Sequence, residues 1–102
     1  MTKQEITNRV KQSVASVDPK AKVILFGSRA REDYNTNSDW DFLIITSNDS
    51  NESFKRKIRE TLIDTELEAE EVISTLIYSQ QTWSEYQSIP LYKSITRDGF
   101  EL

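Results

Sequence analysis

Apolar residues recur at helical spacing from the start of the chain. Ile6, Val10, Val14 and Val17 fall on one face of a helix running from Thr2 to about Val17. Thr2, with Glu5 three residues on, has the form of a capping box, and Asp18-Pro19-Lys20 breaks the helix. The pattern then changes period. Lys22 to Phe26 is short, apolar and β-branched at its start, and reads as a buried strand ending at Gly27. Ser28 to Asp33 makes a short helical turn and Tyr34-Asn35-Thr36-Asn37 a polar loop. Asp39 to Thr46 is a second strand, with Phe42-Leu43-Ile44-Ile45 as its buried part, followed by a turn-rich Ser47-Asn48-Asp49-Ser50-Asn51. Helical spacing returns over Glu52 to about Glu70, where Phe54, Ile58, Leu62 and Leu67 form the stripe. Val72 to Tyr78 is a third strand. Gln80 to Ser88 reads as a helix with Trp83 and Tyr86 on one face. Pro90 suits the first turn of a last helix, Leu91 to Asp98, closed by Gly99. This order predicts an α+β domain, a small mixed β-sheet with helices packed against it.

Composition narrows the picture. At 102 residues the chain is expected to be a single domain over 1–102 with a modest core. It has no cysteine and no histidine. Thiolate nucleophiles, disulfides, imidazole bases and the usual zinc sites are therefore excluded. Chemistry must come from carboxylates, hydroxyls, Lys, Arg, Tyr and backbone dipoles, and a metal would be an oxygen-ligated Mg²⁺, Mn²⁺ or Ca²⁺. A net charge of −4 argues against non-specific binding to nucleic acid. No apolar run is long enough to span a bilayer and there is no signal-peptide core, so the expected location is the cytoplasm. Lys55, Arg56, Lys57 and Arg59 cluster on the long helix, but the acids that follow them make a solvated mixed-charge face the simpler reading. Trp83, Tyr86, Tyr92 and Phe100 are expected to close the core over the sheet.

One stretch carries chemistry. Gly27-Ser28 follows a strand and opens a helical turn. Glycine lets a phosphate approach the backbone, the turn's free N–H groups favour an anion, and Ser28 adds a hydroxyl. Arg29 or Arg31 can add charge and a forked donor. Taken alone, this is also what an ordinary strand-to-helix turn looks like. Asp39-Trp40-Asp41 opens the next strand. Alternation puts both carboxylates on one face and Trp40 on the other. Two such acids repel unless a cation or donors lie between them, and Mg²⁺ is the simplest remedy. A phosphate cradle and a carboxylate pair on adjacent strands together suit a nucleoside triphosphate bound as its metal complex.

The run Gly27-Ser28-Arg29-Ala30-Arg31, followed by Ser38-Asp39-x-Asp41, resembles the signature of the minimal nucleotidyltransferases in the DNA polymerase β-like superfamily. The resemblance implies that Gly27 and Ser28 bind nucleotide phosphates, that Asp39 and Asp41 ligate Mg²⁺, and that Ser38 helps position the loop. It implies in-line attack of a hydroxyl on the α-phosphate of an NTP, ATP first, with pyrophosphate leaving. Small members of the family are commonly paired with a helical HEPN-type toxin and can act as its antitoxin, in some cases by transferring AMP to a tyrosine of that partner, so the resemblance implies such a partner here.

Two positions depart from the family pattern. Glu32 stands where glycine is common, placing an acid near the cradle. The third carboxylate of active members belongs on the strand Val72 to Tyr78, where the matching position is Ser74. Glu71 would serve only if the register slipped by three residues, roughly 10 Å along the strand. Three readings follow: a nucleotidyltransferase, a nucleotide-binding antitoxin-like subunit that acts by complex formation, and a domain whose Asp pair is structural. Tyr34, in the loop between the motif halves, could stack on a base or simply pack locally.

Overall fold

The computed structural model describes residues 1–47 and 51–102. The expected turn at 47–51 lies, for positions 48–50, outside the described residues. Helix α1 (Lys3–Val17) begins with the expected capping box: the Thr2 hydroxyl accepts from the Glu5 N–H, and the Thr2 N–H donates to Glu5 Oε1, both at 3.1 Å. Strand β1 (Lys22–Phe26), the four-residue helix α2 (Ser28–Arg31), strand β2 (Trp40–Thr46), helix α3 (Glu52–Ala69) and strand β3 (Ile73–Ser79) follow. The chain closes with α4 (Gln80–Ser84), α5 (Pro90–Asp98) and a two-residue strand β4 (Phe100–Glu101). The expected α+β architecture is present.

The sheet runs β3-β2-β1-β4. β2 pairs antiparallel with β1 and parallel with β3, which α3 makes possible by carrying the chain back across the sheet. Both faces of β2 are covered, and Phe42, Leu43 and Ile44 are fully buried. Alternation divides the core in two. Val23, Leu25, Trp40, Phe42, Ile44 and Ile77 meet Ile6, Val10, Val14, Ile58 and Leu62 from α1 and α3. On the other face Leu43 and Ile45 meet Trp83 of α4 and Ile95 of α5.

Three expectations are corrected and one element is added. Leu67 is not part of the α3 stripe: it is 71% exposed, and Thr65, at i+3 from Leu62, is buried instead. The helix expected over Gln80 to Ser88 ends at Ser84. Pro90 requires an extended Ile89 (φ −78, ψ 135), and turns bridge the gap, with the Ile89 N–H donating to the Tyr86 carbonyl. Phe100 does not join the aromatic cluster. It lies 54% exposed, with the Lys3 ammonium 5.5 Å from its ring, while Trp83 stacks on Tyr92 at 4.8 Å and contacts Tyr78 and Tyr86. Finally, β4 pairs antiparallel with β1, an addition too short for any periodicity to announce. Arg56, Lys57 and Arg59 are exposed on α3. No described helix is long and apolar enough to cross a membrane.

Candidate functional site

The site is built where β1 ends beside the start of β2. The register sets Phe26 opposite Asp41, and the Asp41 carboxylate lies against Gly27, the residue that follows the first strand. A Cβ at Gly27 would stand 2.5 Å from Asp41 Oδ2. Gly27 also has φ 76 and ψ −158, a backbone region nearly confined to glycine. The backbone conformation thus calls for glycine here, and a side chain would in addition have to displace the Asp41 carboxylate. Its carbonyl accepts from the Ala30 and Arg31 N–H groups, each at 3.1 Å. As the first residues of α2, Ser28 and Arg29 carry N–H groups with no partner one turn back. At the end of the turn Glu32 takes the left-handed conformation, φ 63 and ψ 23, which explains why glycine suits that position. The Glu32 carboxylate pairs with Lys3 at 3.7 Å.

Asp39 is exposed and Asp41 half-buried, flanking Trp40, whose side chain enters the α1–α3 core. Ser74 stands opposite Asp41 in the parallel β2–β3 register. Its hydroxyl donates to Asp39 Oδ2 at 3.1 Å. Glu71 lies off the Asp pair and pairs with Arg29 at 3.5 Å. Burial pushes the Asp41 carboxyl above its ordinary pKa and the neighbouring Asp39 charge adds to this, while Arg31 pulls the other way. Two carboxylates and a hydroxyl, one of the acids partly desolvated beside the other, are a hard-oxygen donor set short of positive charge, and they fit a divalent cation such as Mg²⁺. Among the described residues no group of three or more acids converges on such a position.

The two arginines are used differently. Arg31 is exposed, with its Nε 3.2 Å from Asp33 Oδ2. Arg29 is 6% exposed. It donates from Nε and Nη2 to the Ser38 carbonyl at 3.3 and 3.1 Å. Its guanidinium lies over the rings of Tyr34 and Trp40, 4.2 and 4.6 Å from their centroids. Ser38 holds the loop from its other side: its hydroxyl accepts from the Asn35 N–H and its own N–H donates to the Asn35 carbonyl, both at 3.1 Å. Gly27, Ser28, Asp39 and Asp41 are therefore brought to one place, Arg31 lies near it, and Arg29 turns inward. The linking roles of Tyr34, Trp40 and Glu71 carry no signal in the sequence, because nothing local states where the Arg29 side chain points.

A profile of the family described as nucleotidyltransferase domain matches residues 7–98. A solved structure described as "Crystal structure of the toxin-antitoxin with AMP-PNP" matches with a TM-score of 0.67, covering 92% of this chain and 69% of that one at 15% identity. At that identity the likeness is one of fold. Comparison with curated protein sequences gives no match.

Proposed function

The chain belongs to the nucleotidyltransferase domain family, and from that premise we propose that it transfers a nucleoside monophosphate from an NTP to a hydroxyl acceptor with Mg²⁺. The observation that carries this reading is the packing of Asp41 against Gly27, which joins the carboxylate pair to the phosphate turn. Asp39 and Asp41 would hold the cation, whose chemistry is to withdraw charge from the triphosphate. Gly27 opens the phosphate turn and leaves room for the Asp41 carboxylate beside it, Ser28 and the first N–H groups of α2 would donate to the phosphate oxygens, and Arg31 would add charge from the open side. The acceptor hydroxyl gives its proton to solvent as its oxygen bonds to the α-phosphorus, the bond from the α-phosphorus to the bridging oxygen breaks, and pyrophosphate leaves in line. ATP is the preferred donor in this reading, supported by the AMP-PNP named for the similar structure. The acceptor proposed is a tyrosine of a HEPN-type helical toxin.

A second reading rests on Ser74. Its hydroxyl is engaged as a donor to Asp39, and a serine is a poor proton acceptor where an acid would serve. The chain then acts as a slow or inactive nucleotide-binding subunit that restrains its partner by forming a complex. Both readings are tested by incubating the protein and its toxin with Mg²⁺ and α-labelled ATP. Label moving to a toxin tyrosine, and lost in the Asp39→Asn, Asp41→Asn double variant, supports transfer. Transfer that survives the double variant overturns it. Neutralisation of the toxin by the double variant, without labelling, selects the second reading, and Ser74→Asp should then raise labelling.

A further inference from the structure

We propose that Arg29 is a positioning residue for Asp39 and not a phosphate ligand, an assignment that rests on the reading of Asp39 and Asp41 as the cation-holding pair. An arginine in a phosphate-binding turn would be expected to face solvent. This one is, with Asp18, one of the charged side chains buried among the described residues. Its planar fork spends two donors on a single backbone oxygen, the carbonyl of Ser38, which belongs to the peptide leading directly into Asp39. The guanidinium carbon also lies over the rings of Tyr34 and Trp40, and Glu71 supplies the counter-charge.

These partners come from three directions. Tyr34 and Ser38 belong to the loop before β2, Trp40 is the first residue of β2, and Glu71 precedes β3. One cation therefore ties the loop that ends in Asp39 to the segment that delivers Ser74. Trp40 is held by the same group, through the guanidinium over its ring; its buried indole N–H has no hydrogen-bond partner among the described residues. Lysine would preserve the charge but could not give two donors to the Ser38 carbonyl from one planar group.

The test uses the full chain, Mn²⁺ alone as the probe of the Asp pair, and amide hydrogen exchange as a readout independent of metal. Arg29→Lys should weaken Mn²⁺ binding without nucleotide by about tenfold or more, as loss of a ligand-orienting partner does. It should also speed exchange at Ser38 and Trp40, whose N–H groups bond to the Asn35 and Val72 carbonyls, by about tenfold while Leu43 in the sheet centre is unchanged. Glu71→Gln, which keeps side-chain shape, should move both readouts the same way by less, and it decides the matter if the lysine variant does not fold. Unchanged exchange in both variants overturns the proposal. So does an Arg29→Lys variant that binds Mn²⁺ normally but loses affinity for inorganic tripolyphosphate, which would make Arg29 a phosphate ligand. If the wild-type chain and the double Asn variant bind Mn²⁺ alike, the cation reading of the Asp pair fails, and exchange still decides whether Arg29 holds the Ser38–Asp39 backbone.

Discussion

Replacing Gly27 by alanine should damage stability and the site together, for two reasons that can be separated. The backbone at φ 76, ψ −158 is nearly closed to residues with a Cβ, and forcing one into it costs on the order of 1–3 kcal/mol. The new Cβ would also stand 2.5 Å from Asp41 Oδ2, so the carboxylate must retreat by roughly 1 Å to regain ordinary contact. For a domain of this size, about 2 kcal/mol lowers the melting temperature by roughly 8–16 °C. A misplacement of about 1 Å at a reacting centre can cost about a hundredfold in rate. The assay is calorimetric melting beside Mn²⁺ titration, on Gly27→Ala, Asp41→Ala and the double variant. The Asp41 Cβ is 3.4 Å from the added methyl, an ordinary contact, so Asp41→Ala removes the clash and leaves the backbone strain. Gly27→Ala should therefore destabilise less in the Asp41→Ala background than in the wild type. A Gly27→Ala protein that melts within about 3 °C of wild type and binds Mn²⁺ normally would refute both halves of this reasoning.

Two pH-dependent effects should accompany it. The Asp41 carboxyl is raised by burial and by Asp39, against Arg31, so its stabilising contribution is complete below the unfolded pKa and is lost as pH rises through the folded one. Asp41→Asn should accordingly raise the melting temperature at pH 7, and the gain should vanish below about pH 4; the absence of any gain at pH 7 would contradict this. Asp18 is the opposite case. Burial pushes its carboxyl up, but hydrogen bonds from the Ser47 N–H and hydroxyl, at 2.9 Å, and from the Lys20 N–H, at 3.1 Å, outweigh it and hold the pKa low. Its contribution is present above the unfolded pKa and lost as pH falls through the folded one. Asp18→Asn should cost about 1–3 kcal/mol at pH 7, and the gap between variant and wild-type melting temperatures should close as the pH is lowered into the acid range.

Local pattern alone determined much of this protein. The three main strands and the helices that cover them follow from apolar spacing, and the capping box at Thr2 was legible in two residues because the whole interaction spans one helical turn. The strand-Gly-Ser turn and the Asp-x-Asp pair were legible for the same reason: each is set by short-range backbone geometry and by alternation along one strand. The errors arise where a neighbour decides. Thr65 and not Leu67 is buried because α1 and β3 fix which edge of α3 faces inward. β4 exists because the backbone of β1 offers an open edge, and two residues carry no period of their own.

The centre of the site divides along the same line. The residue types that could hold phosphate and cation are written in the sequence, but which of them meet is settled by contacts between segments distant in the chain, such as Asp39 with Ser74 and Arg29 with Glu71. The β2–β3 register brings Ser74, not Glu71, beside the Asp pair. The packing of the loop turns Arg29 inward, away from solvent, and gives it Glu71 as its partner. Strand register and the direction of a long side chain are properties of the assembled sheet, since each depends on surfaces that do not exist until distant segments pack.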